Sequence, residues 1–132
     1  MQNTPHQRPR VLVIDDEVKV LQEVENVLHG AGFACCCCRT ATEALAAIEI
    51  APAELIVCDL HLQGESGMET CQAIQQRSGM ENVPVMFLSG AQLPDIIRRS
   101  HAAGNAVYCL RKPFSPEVLV ELIDQALAVP QA

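Results

Sequence analysis

The chain has 132 residues and a formal net charge of -7; half of it is apolar (49%), yet only 3% is aromatic and there is no Trp. That length suits one domain with an aliphatic core, and the acidic balance with so few aromatics argues against a surface that grips phosphate backbones or stacks bases, so no direct nucleic-acid binding is expected. Arg8 and Arg10 precede an apolar segment of only four residues, which is neither a signal peptide nor a membrane span, and the seven cysteines read as free thiols in a reducing, cytoplasmic setting.

Residues 1–9 are polar, with Pro5 and Pro9, and are expected as a disordered tail; the domain is expected over 10–129, with 130–132 as a short tail. Val11 to Ile14 forms a short buried strand running into Asp15-Asp16-Glu17. Val18, Leu21, Val24 and Leu28 then recur at helical spacing, and the helix stops at Gly30 and Gly32, where a C-cap belongs. Phe33 to Cys38 is the second strand. Its run of cysteines lacks the spacers of a metal site, because successive strand residues point to opposite faces, so Cys35 to Cys38 are read as small hydrophobes.

Thr40 to Glu43 has the form of a capping box opening the second helix, and Ser66 to Glu69 that of another opening the third. Between them Leu55-Ile56-Val57-Cys58 runs directly into Asp59, the pattern of a strand buried on both faces. Pro84 to Leu88 is the fourth strand, ending at Ser89-Gly90; a weakly amphipathic helix follows Leu93-Pro94 and ends near Gly104. Ala106 to Leu110 is the fifth strand, leading to Arg111-Lys112-Pro113-Phe114. Ser115-Pro116 caps the last helix, whose buried stripe is Leu119, Leu122, Ile123 and Ala126.

Strands alternating with helices indicate a parallel α/β sheet with helices on both faces. The carboxyl ends of such strands gather ligands, and here they assemble Asp15, Asp16, Asp59, Ser89 and Lys112. Carboxylates brought together repel unless a cation compensates, and oxygen-only donors favour Mg²⁺. Lys112 offers a point charge for a phosphoryl oxygen and Ser89 a hydroxyl. Phosphoryl transfer asks mainly for positioning and charge neutralisation, with Asp59 as nucleophile forming an aspartyl phosphate.

Those four motifs, the acidic pair, Asp59, Ser89 and Lys112-Pro113-Phe114, make the sequence resemble the receiver domains of two-component response regulators over Arg10 to Val129. The resemblance implies a flavodoxin-like (βα)5 sandwich with strand order 2-1-3-4-5. It implies Mg²⁺ on Asp16, Asp59 and the backbone carbonyl of His61, with Asp15 acting partly through water. It also implies a phosphodonor histidine on a sensor histidine kinase or a histidine phosphotransfer protein, a phosphorylation-dependent homodimer among the partners, and no turnover of an external substrate. Phosphorylation would draw in Ser89 and shift the face made by the fourth helix, fifth strand and fifth helix, with Lys112 as reporter.

The sequence departs from that family at three places: Gln63 stands where proline usually rigidifies the loop, His61 lies two residues after Asp59, and Cys109 occupies the switch position three residues before Lys112, with Tyr108 one residue earlier. Either the fifth strand carries a bulge, or the aromatic switch is absent. Two rivals to the phosphorylatable receiver are a Mg²⁺-dependent phosphohydrolase, which needs an acid where His61 stands, and a degenerate receiver serving only for docking, which is hard to square with an intact acidic, hydroxyl and lysine set.

Overall fold

The structure, a computed structural model, describes residues 8–90 and 107–128. Five parallel strands form its sheet: β1 (Arg10–Ile14), β2 (Ala34–Cys38), β3 (Leu55–Asp59), β6 (Val85–Ser89) and β7 (Val107–Arg111), in the order β2-β1-β3-β6-β7. Two shorter strands, β4 (His61–Leu62) and β5 (Glu65–Ser66), stand apart from it. Counting only the five strands of the sheet, the order is 2-1-3-4-5, as expected of a flavodoxin-like fold. The helices are α1 (Val18–Gly30), α2 (Ala41–Ile50), α3 (Gly67–Gln75) and the last helix, α4 (Pro116–Ala128). Residues 1–7 of the expected tail, the helix expected after Leu93-Pro94 and residues 129–132 lie outside the described residues.

Sheet alternation separates two apolar layers. Leu12, Ile14, Ile56, Cys58, Val85 and Phe87 pack on one face with Ala44 and Ile48 of α2 and Cys71 and Ile74 of α3. Val11, Val13, Leu55, Val57, Met86 and Leu88 pack on the other with Leu21, Val24 and Leu28 of α1 and Leu119, Ile123 and Ala126 of α4. Each fully buried Leu or Ile contributes roughly 1.5–3 kcal/mol. All of β3 and β6 is buried, as central strands covered on both faces must be.

The helix starts follow the side chains available to them. Thr40 Oγ1 accepts from the Glu43 amide at 3.1 Å, while the Glu43 carboxylate accepts from the Arg39 amide at 2.8 Å, one residue outside the usual box partner. Ser66 Oγ accepts from the Glu69 amide at 3.3 Å, and Ser115 Oγ from the Val118 amide at 3.5 Å. The turn after α1 is completed at Gly32, whose φ of 91° is the left-handed conformation that glycine adopts without a Cβ clash.

Two features go beyond the sequence reading. The stretch after β3 forms a small antiparallel hairpin of β4 with β5, turning at Gly64 with φ 75°. And β7 keeps unbroken register with β6, Met86 opposite Tyr108 and Phe87 opposite Cys109, so no bulge interrupts Val107–Arg111. Tyr108 therefore packs on the α1/α4 layer, whereas Val107, and by alternation Cys109, belongs to the other face. Of the two alternatives, the bulge is excluded, and position 109 presents a thiol.

Candidate phosphoacceptor site

The site is built where β1, β3, β6 and β7 end together. Asp15 follows β1, its amide held by the Cys38 carbonyl at 3.1 Å, which ties the first acidic residue to the end of β2. Asp59 is the last residue of β3 and pairs in the sheet with Leu88, one residue before Ser89. The Lys112 amide donates to the Ser89 carbonyl at 2.9 Å, so the sheet ladder itself aims the lysine across the edge.

Lys112 is the hub. Its Nζ lies 3.1 Å from Asp15 Oδ2, 3.3 Å from Asp59 Oδ2 and 3.4 Å from Glu17 Oε1. The Asp15 side chain is fully buried and that of Asp59 is 10% exposed, so both need charge-assisted partners. Asp15 Oδ1 accepts from the Glu17 amide at 2.9 Å, and Asp59 Oδ1 from the His61 amide at 3.2 Å. Burial holds the Asp15 carboxyl above its ordinary pKa, and the nearby Asp59 charge pushes the same way, against the opposing effects of the Glu17 amide and Lys112. For Lys112 burial works to lower the pKa, but the Asp15 and Asp59 carboxylates together outweigh it and keep the ammonium charged.

Carboxylate oxygens of Asp15, Glu17 and Asp59 all lie within 4.8 Å of one another, the one group of three such donors among the described residues. Hard oxygen donors gathered this closely fit a hard cation. Asp16 stands beside this group: its Oδ2 accepts from the Gln63 amide at 2.9 Å, and its carbonyl accepts from Arg39 Nη2 at 3.3 Å. Of the expected metal residues, then, Asp15 and Asp59 converge, Asp16 is engaged by the β4–β5 turn, and His61 contributes its amide to Asp59 while its side chain is exposed. Ser89 is fully buried at the end of β6, with its backbone carbonyl on Lys112.

Glu17 and Gly67 are the residues the sequence reading did not single out. Glu17 was legible only as the third member of an acidic run; the turn after β1 brings it back over Asp15. Gly67 donates its amide to the Leu60 carbonyl at 2.8 Å, and a Cβ at that position would collide with the Asp59 carbonyl oxygen and lie 2.9 Å from Leu60 Cα. A glycine directly after a helix cap was the available signal of such a close approach.

The loops around the edge are stitched together. Glu65 Oε1 of the hairpin accepts from the Ala41 amide at 3.1 Å, joining the segment after Asp59 to the first turn of α2. A cleft of about 180 Å³ lined by Asp16, Arg39, Thr40, Glu43 and Gln63 opens there. A larger cavity of about 920 Å³ lies between α1 and α4, among Val27, Gly30, Pro116 and Val120, and includes none of the site residues.

A model of the response regulator receiver domain matches residues 11–124. The chain belongs to that family. As a receiver domain of two-component response regulators it is 30% identical over 121 residues to the DNA-binding response regulator MtrA of Mycobacterium tuberculosis, covering 91% of this chain and 51% of that protein. It is 28% identical over 124 residues to the sensory/regulatory protein RpfC of Xanthomonas campestris, covering 92% of this chain and 17% of that one. The receiver thus spans about half the length of the MtrA relatives and a smaller part of RpfC. Among solved structures, the chemotaxis protein CheY4 of Vibrio cholerae superposes with a TM-score of 0.85 at 28% identity, over 91% of this chain and 99% of that one. Among the described residues of this receiver, no helix is long and apolar enough to cross a membrane.

Proposed function

We propose that this receiver accepts a phosphoryl group on Asp59 from a phosphohistidine of a sensor histidine kinase or a histidine phosphotransfer protein. The observation that carries the reading is the convergence of Asp59, Asp15 and Lys112 at one sheet edge, with Nζ within 3.3 Å of both aspartates. An Asp59 carboxylate oxygen attacks phosphorus in line; the new P–O bond forms as the P–N bond to the donor imidazole breaks, and the imidazole leaves with the P–N electron pair. The His61 amide on Oδ1 and Lys112 on Oδ2 orient the carboxylate before attack.

The acidic group is suited to Mg²⁺: Asp59 with Asp15, Asp16 or Glu17 would hold it, and the ion would supply charge neutralisation at the phosphoryl oxygens. Lys112 meets the charge that develops there, and the Ser89 hydroxyl, at the end of the neighbouring strand, follows it. Because the Lys112 backbone is laddered to Ser89, a displacement of either passes into β7 and then into α4. The reaction modifies the protein itself, with hydrolysis of the aspartyl phosphate as reset and no external substrate. A cytoplasmic setting suits this exchange and the free thiols.

Intact-protein mass after incubation with Mg²⁺ and a small acyl-phosphate donor tests the reading. One acid-stable, base-labile phosphoryl group is expected, lost in Asp59→Asn and not formed when Mg²⁺ is chelated. Undiminished labelling of the Asn variant would overturn the assignment.

A further inference from the structure

The cysteines of β2 sort by strand alternation into two pairs rather than one cluster. Cys35 and Cys37 lie on the α1 side, their sulfurs 3.6 Å apart, and both are half-buried at the edge of the sheet. Cys36 packs on the opposite face with the buried Cys38. Cys37 Sγ also lies 4.0 Å from the Leu21 carbonyl of α1, a weak contact with the helix packed on that face.

The spacing selects among thiol chemistries. Alternate residues of an extended strand have Cα atoms roughly 6.6–6.8 Å apart with parallel Cβ directions, whereas a disulfide asks for Cβ atoms about 3.5–4.5 Å apart, so direct S–S closure requires the strand to buckle. A bridging atom removes that demand. Two sulfurs bound at a thiolate–metal length of about 2.3 Å with a bond angle somewhat below tetrahedral stand about 3.5 Å apart, close to the observed 3.6 Å. A linear two-coordinate ion would hold them roughly 4.6 Å apart at the same bond length. A tetrahedral ion fits the spacing but needs two further donors, and among the described residues no group of three metal-binding side chains includes these cysteines. A pyramidal centre that carries its own third substituent needs only the two thiols.

We propose that Cys35 and Cys37 form a chelating site for a trivalent arsenical. In the binding step two S–H bonds and the As=O bond of an organoarsenic(III) oxide are replaced by two As–S bonds. The oxygen leaves as water with both thiol protons, and arsenic stays trivalent. The hydrogen bond between the sulfurs prepares this attack: it lowers the Cys37 pKa and raises that of Cys35, so Cys37 ionises first while Cys35 retains its proton. The other thiols are poorer competitors. Cys58 and Cys71 are sealed in the core, Cys38 is buried, with burial pushing its thiol up to about 12, and Cys109 lies on the other edge strand.

The test is intact-protein mass of the full chain after treatment with one equivalent of phenylarsine oxide. One adduct is expected that survives excess monothiol but is removed by a competing 1,2-dithiol. It should be at least about tenfold weaker in Cys35→Ser and in Cys37→Ser, and retained in Cys36→Ser and Cys109→Ser, each variant showing a cooperative thermal transition. In the unmutated protein, bound arsenical should protect Cys35 and Cys37 from alkylation, read by fragment mass. Absence of a monothiol-resistant adduct, its survival in both Cys35→Ser and Cys37→Ser, its loss in Cys36→Ser, or protection of a different cysteine pair would each overturn the site.

Discussion

The interior of the central strands and the edge where those strands end follow opposite rules. Within β1 and β3, Val11 to Ile14 and Leu55 to Cys58 bury apolar side chains against helices on both faces, and that burial favours folding. At the end of each strand comes a carboxylate, Asp15 and Asp59; burial and the neighbouring Asp59 charge oppose the charged form of Asp15, and among the described residues Lys112 and two backbone amides meet the pair. Apolar burial in the strands thus offsets the cost of a rigid, charged edge, and the edge is the part poised for chemistry. Stability and function are separated by a single residue of chain.

Truncations within the strands and loss of the lysine at the edge should have the two largest effects on stability. Ile56→Ala, at a fully buried side chain, is expected to cost about 2–5 kcal/mol through lost burial and the cavity it leaves. Urea unfolding measures it, and a cost below about 1 kcal/mol would mean that the interior packs less closely around β3 than its burial requires. The folded fraction should still accept phosphate on Asp59.

Lys112→Met tests the edge from the compensating side. Leaving two buried carboxylates without their ammonium should cost on the order of 3–5 kcal/mol in metal-free protein, with added Mg²⁺ recovering a good part of it. The variant should still be phosphorylated, while the amide shifts of β7 that move in the parent stay in place. Equal movement in both proteins would remove Lys112 as the reporter.

Gly67→Ala probes the backbone beneath Asp59. With no room for a Cβ against the Asp59 carbonyl, the substitution should cost roughly 1–3 kcal/mol and slow phosphorylation more than Gly64→Ala in the exposed turn slows it. A neutral result in both assays would show that α3 can move away from β3 freely.

The smallest effect should have the opposite sign. Because the folded-state pKa of Asp15 is raised above its ordinary 3.8, the folded protein holds more protons than the unfolded chain just above that pH, and stability falls as pH rises through the window. Asp15→Asn should flatten this slope in metal-free protein and raise neutral-pH stability slightly, while impairing phosphorylation. Denaturant midpoints followed across pH in chelator decide it, and an unchanged slope would place the strain elsewhere.

The same contrast between interior and edge governs which parts of the molecule could be read in advance. Strand interiors carry their signal locally: Leu55 to Cys58 is apolar throughout because both sheet faces are covered, and Thr40 and Ser66 cap helices through contacts only three residues long. Asp15 and Asp59 were recognisable because each directly ends an apolar run, and Lys112 because it opens Lys-Pro-Phe one residue beyond such a run. Asp16 and Glu17 were not separable in this way, since adjacent members of one acidic run look alike until the turn after β1 assigns Glu17 to the Asp15–Asp59 group and Asp16 to the Gln63 amide.

By itself the amino-acid sequence determined the alternating α/β order, the residues that end each strand and the family to which they point, because periodicity and caps act over a few residues. Only the tertiary structure decided the side taken by Tyr108, the closeness of Gly67 to Asp59 and the meeting of Cys35 with Cys37. Those depend on strand register, on how closely α3 approaches β3 and on side-chain direction at a sheet edge, which are set by partners distant in sequence.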